Sequence, residues 1–206
     1  MSIAALRLAC YVFETRLEVR RPAPARCFLI VETKLNDMQT SVKLYSLGYQ
    51  EMRAYLWATL FVVGNVALPQ LCHLMPQGGL IWLPIYFFTL VGAYKYGWKV
   101  GLLTAVLSPL ANHVLFGMPP AAMLPGILVK STLLAVIAAY VAHRTQRVSL
   151  LLLMGVVLGY QVVGCGMEAL MHGSLYAGVQ DFRLGLPGML LQVLGGYWVI
   201  KHVLRS

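Results

Sequence analysis

Acidic residues are nearly missing from most of this chain. Of its 206 residues, 11% are charged and only 7 are Asp or Glu. Soluble domains ordinarily carry about 25% charged residues. The shortage is local: residues 1–53 hold 8 Lys/Arg and 5 acids, whereas residues 54–206 hold 8 Lys/Arg and only the two acids Glu168 and Asp181. A water-facing surface needs more charge than that, so the last 153 residues read as one polytopic membrane domain.

Other absences narrow the chemistry. The four cysteines (Cys10, Cys27, Cys72, Cys165) form no CxxC pair and show no metal-ligand spacing. Cys72 and Cys165, in apolar surroundings, read as small buried hydrophobes. There is no GxSxG, no metalloprotease motif and no paired acids. Gly126-Ile-Leu-Val-Lys130-Ser131 has the lysine and serine of a phosphate loop but lacks the glycine before the lysine, so no nucleotide site is expected. The pI of about 9.6 does not come with a basic stripe interleaved with aromatics, which argues against nucleic acid. Neither cofactor nor metal is expected.

What the sequence has in abundance is apolar length. Crossing about 30 Å of hydrocarbon takes about 20 helical residues. Six candidate spans follow, at 53–74, 80–96, 100–117, 121–143, 148–172 and 184–204, separated by turn chemistry such as PQGG at 76–79 and GMPP at 117–120. Lys95 and Lys99 bracket the 2/3 turn, Arg144 and Arg147 lie in the 4/5 turn, and Lys201 and Arg205 close the last span. The 1/2 and 3/4 turns have no Lys or Arg. That alternation is the positive-inside pattern. The expected fold is an all-α integral membrane bundle of six transmembrane helices with both termini cytoplasmic, in the cell's plasma membrane. Residues 1–39, with the breaker RRPAPAR at 20–26, read as an N-terminal extension, disordered or upstream of a true start at Met38. The membrane domain covers 40–206, and 40–52 could form an interfacial helix.

Polar residues inside the spans recur at helical spacing. Thr104, Ser108 and Asn112 are four apart, with His113 beside the last. Gln161, Cys165, Glu168 and His172 share one face of the fifth span, and Asn65, Pro69 and His73 one face of the first. Lys130 falls in the outer half of the fourth span, and Gln192 in the sixth. An ionisable group at mid-membrane costs about 2.5–3.5 kcal/mol even on insertion scales, so it faces protein or water. The convergence predicts an outward-opening polar pocket built from Asn112, His113, Lys130, Gln161, Glu168, His172, His73 and Gln192. Competing readings are plain interhelical hydrogen bonds, a structural Lys130–Glu168 ion pair, and a metal site of the three histidines. Small residues four apart, Ala54/Ala58 and Gly155/Gly159, allow close helix packing. For the alanines a partner protein is the alternative.

Three stretches carry a resemblance: AYLWA at 54–58, GAYKYGWKVGLLTAVLSPLANHVLFGMPP at 92–120, and PGILVKS at 125–131. With the span count, they make residues 40–206 similar to the substrate-binding S components of energy-coupling factor vitamin transporters. The resemblance implies a non-enzymatic membrane binder of a small vitamin-like substrate. Such a protein docks, here through Ala54 and Ala58, on a transmembrane coupling protein bearing two ATPase subunits. It then topples to release its ligand inside. The vitamin stays open. So do two other classes, an intramembrane enzyme using Glu168 with His113 or His172, and a structural subunit without a ligand.

The topology is tested by single cysteines. Those at positions 77 and 118 are expected to react with an impermeant reagent from outside, and one at 146 only from inside; labelling of 146 from outside would reverse the arrangement.

Overall fold

A helix surrounded by lipid gains nothing from a polar outer stripe, so its sequence is apolar all round and its polar groups turn inward. The computed structural model shows this distribution. It describes residues 50–72, 74, 78–173, 176 and 182–203, with only the backbone of His172 and Val203. Among them Leu60, Val114, Leu158 and Leu190 are exposed, while Asn65, Thr104, Ser108, Gln161 and Gln192 are buried. The contacts divide the chain after Gln39, and every helix below belongs to the second unit.

The described elements are helical. They are α1 (Met52–Cys72), α2 (Gly78–Trp82), a 3-10 turn (Pro84–Tyr86), α3 (Phe87–Tyr96), α4 (Trp98–Phe116), α5 (Leu124–Thr145), α6 (Leu150–His172) and α7 (Leu186–Trp198), which runs into a π-helical turn at Val199–Val203. Four of them, α1, α4, α5 and α6, are long and apolar enough to cross a membrane.

The stretch expected as one span at 80–96 is broken. Leu83 takes left-handed backbone angles, φ 45° and ψ 45°, immediately before Pro84. A residue preceding proline is driven away from the helical region, and Pro84 has no N–H to carry the ladder forward. The helix restarts at Phe87, leaving α3 with 10 residues. The last expected span, 184–204, is likewise a 13-residue helix and a five-residue π turn. His73, the side chain of His172, residues 1–39 and the expected interfacial helix up to residue 49 lie outside the described residues.

The core is aromatic on one side and made of small residues on the other. Trp57 of α1 stacks on Tyr96 of α3 at 4.5 Å between ring centroids, and Phe61 lies 6.1 Å from Phe88. Phe61 fits because Gly92 faces it, where an added Cβ would come within 2.9 Å of the ring. The chain reverses from α3 to α4 at Gly97, whose φ of 93° suits glycine. Directly after, Gly101 passes so near α3 that a Cβ would lie 2.8 Å from the Ala93 Cα. The α5–α6 turn is tied to α3 by the Tyr94 hydroxyl, which donates to the Arg147 carbonyl at 2.7 Å.

Two positions in this core bear on the sequence reading. Lys95, one of the two lysines that bracket the turn between α3 and α4, is 0% exposed. Ala54 and Ala58, expected on a docking face, are 0% and 3% exposed and belong to the chain's own core cluster. Their spacing serves the close approach of helices within the bundle.

The two kinds of glycine give a test. Gly101→Ala should lower stability by about 1–3 kcal/mol, because backbone must move. At Gly155 an added Cβ meets nothing within 4 Å, so Gly155→Ala should not destabilise. Thermal unfolding of the purified variants reads the difference.

Candidate binding site

Pro69 lies inside α1 and carries no N–H, so the carbonyl of Asn65, four residues earlier, loses its partner in the helical ladder. In a membrane interior no water replaces it. Asn112 of α4 does so, its Nδ2 donating to the Asn65 carbonyl at 2.9 Å and to the Ser108 carbonyl at 3.0 Å. The Asn65 side chain is equally engaged. Its Nδ2 donates to Thr89 Oγ1 at 3.0 Å and Ser108 Oγ at 3.1 Å. Its Oδ1 accepts from the Phe88 N–H at 3.1 Å, a donor left over where α3 begins. One asparagine thus joins α1, α3 and α4.

Above this knot is a cavity of about 350 Å³. Its walls come from the end of α1 (Pro69, Gln70), from α2 and the 3-10 turn (Leu80, Ile85), from Asn112, from the turn after α4 (Met118, Pro119) and from the start of α5 (Met123, Ile127). Ligand pockets fall at about 300–1,000 Å³. The cavity lies at the end of the bundle opposite the turns that carry Lys99, Arg144 and Arg147. His113 of α4 braces its rim: Nδ1 is 2.7 Å from the Pro119 carbonyl, an acceptor, so Nδ1–H must be the donor. Gly117 ends α4 at φ 66° and lets the turn fold back.

Of the described residues expected to form one polar pocket, Asn112 is part of this lining, contributing from beside the Asn65 knot, and His113 braces its rim. Lys130, Glu168, Gln161 and Gln192 are not part of it. Lys130 of α5 and Glu168 of α6 form an ion pair at 2.7 Å, with side chains 2% and 19% exposed. The pair has a fitted seat on both helices. A Cβ on Gly164, four residues before Glu168, would lie 2.6 Å from Lys130 Cγ; one on Gly126, four before Lys130, would lie 3.2 Å from Glu168 Oε1. Gln192 of α7 accepts from the Tyr160 hydroxyl at 3.0 Å, deep between α6 and α7. Gln161 of α6 is buried. The apolar walls of the cavity had no signature in the sequence, since proline, methionine and isoleucine occur throughout such a chain. The cue that existed was Pro69 four residues after Asn65.

No family model, curated protein or solved structure matches the chain. The site therefore has to be read from its own geometry.

The ion pair is tested by comparing single and double variants. Lys130→Met leaves a carboxylate without its cation and should destabilise the purified protein by about 3–5 kcal/mol; Lys130→Met with Glu168→Leu should recover most of it. Equal loss in both would show that the charges themselves are needed.

Proposed function

We propose that this chain is the membrane-embedded binding subunit of an uptake system, capturing a small vitamin-like molecule from outside and passing it on with the help of other chains. The observation that carries the reading is the cavity of about 350 Å³, placed at the end of the bundle away from the basic turns. If those turns face the cytoplasm, as the positive-inside pattern has it, the cavity opens outward. The described chain offers no nucleotide motif, so energy for uptake would come from a transmembrane coupling protein and two ATPase subunits, as in the transporters the sequence resembles. The short segments α2–α3 and α7 would complete six spans around the four long helices, with both ends of the chain at the cytoplasmic face of the plasma membrane. Docking on the coupling protein would use a surface other than Ala54 and Ala58, which the bundle buries.

The enzyme reading has less support. Glu168 is engaged by Lys130, and the Nδ1 of His113 by a backbone carbonyl, so the two residues are held by different partners.

Mass spectrometry of small molecules released from the purified chain tests the proposal. One vitamin-sized compound per protein is expected, together with ATP-dependent accumulation of that compound in cells expressing the chain with its coupling module. A chain that retains nothing, and whose removal leaves uptake unchanged, would be a structural subunit.

A further inference from the structure

The side-chain amide of Asn112 has a fixed orientation. Both groups beside its Nδ2, the carbonyls of Asn65 and Ser108, can only accept, so the nitrogen must face them and its two hydrogens are spent there. The oxygen is turned the other way. Asn112 is 2% exposed, it lines the cavity, and its Oδ1 has no hydrogen-bond partner. A buried acceptor left unmatched is costly, and native structures rarely tolerate one without a reason. Among the described residues the rest of the lining is proline, glycine, leucine, isoleucine and methionine apart from Gln70, with no charged side chain. The nearest candidates for charge recognition on the sequence, Lys130 and Glu168, are engaged with each other at 2.7 Å and are not part of the wall.

We infer that the cavity takes an uncharged, largely apolar molecule that presents one N–H or O–H donor to Asn112 Oδ1. This rests on the binding role proposed above and narrows its substrate class. A carboxylate, phosphate or ammonium entering this space would lose hydration and meet no opposite charge among the described lining residues, a penalty that disfavours it. A molecule with an acceptor in place of the donor would set two oxygens against each other. Asn112 therefore holds two functions in one amide. Its nitrogen closes the gap that Pro69 opens in α1, and its oxygen, fixed by that task, selects the ligand.

The test uses 2-phenylindole, which is uncharged and has a single N–H, and 1-methyl-2-phenylindole, in which a methyl group masks that donor. Tryptamine serves as a charged indole. Binding is read from the thermal stabilisation of the full chain purified in detergent, titrated with each probe. The expected result is about tenfold tighter binding of 2-phenylindole than of its N-methyl derivative, the size of one matched buried hydrogen bond, and no stabilisation by tryptamine. Met123 is on the rim and 51% exposed, so Met123→Trp can fill the entrance without straining the core. It should abolish stabilisation by 2-phenylindole while leaving the probe-free melting temperature unchanged. If that variant does not purify, Ile127→Trp replaces it. Equal binding of the two phenylindoles, binding of neither, or a preference for tryptamine overturns the inference. Its failure is separable from that of the uptake role. A charged molecule retained by the purified chain, and lost in Met123→Trp, sinks this inference alone. A chain that retains no compound from cells yet discriminates between the two phenylindoles sinks the uptake role alone.

Discussion

Asn65 is the point on which this bundle depends. It is buried in α1 at a place where lipid offers no hydrogen bonds, and its side chain answers three groups on two other helices. Its own carbonyl, freed by Pro69, is answered by Asn112. Each of these groups would be costly if left alone in hydrocarbon. Together they fix how far α1, α3 and α4 can slide past one another. The cavity beside Pro69 and Asn112 exists because α1 is pinned here by polar bonds and cannot be drawn in by apolar packing alone.

The Lys130–Glu168 pair does similar work between α5 and α6, by a different device. The two helices run antiparallel, and each carries a glycine four residues before its charged residue. Gly164 receives the stem of Lys130 and Gly126 the carboxylate of Glu168, so the two positions read as one motif and its reverse. Shifting the helices by a single residue would drive a charged chain onto a side chain. The pair is best understood as a register lock. Apolar surfaces slide easily, and a charge that fits in one position only does not.

Much of this was legible in the sequence. The apolar runs and missing acids gave the helices α1, α4, α5 and α6 to within three residues at each end, and the fourfold spacing of Thr104, Ser108 and Asn112 gave the inward face of α4. The pairing of Lys130 with Glu168 followed from their being the only opposite charges deep in spans. The meeting point of the polar residues was less legible. Periodicity assigns a residue to a face of its own helix, but the neighbour it meets depends on packing between helices. Hence Gln192 went to Tyr160, Glu168 to Lys130, and Asn112 to the cavity wall. Ala54 and Ala58 show the same limit: close spacing of small residues signals a close neighbour without saying whether that neighbour belongs to the same chain. The break at Leu83 was masked by the apolar composition on both sides of Pro84.

That break bears on how the protein is made. With 10 residues, α3 is about 15 Å long, half of what a bilayer's hydrocarbon core requires. A helix that short depends on its neighbours to hold it at membrane depth. Its tight crossing with α4 at Ala93 and Gly101 supplies what it lacks, since the two leave the ribosome in succession and can enter as a helical hairpin. A bulky residue at Gly101 would part the two helices and remove the support that α3 takes from α4.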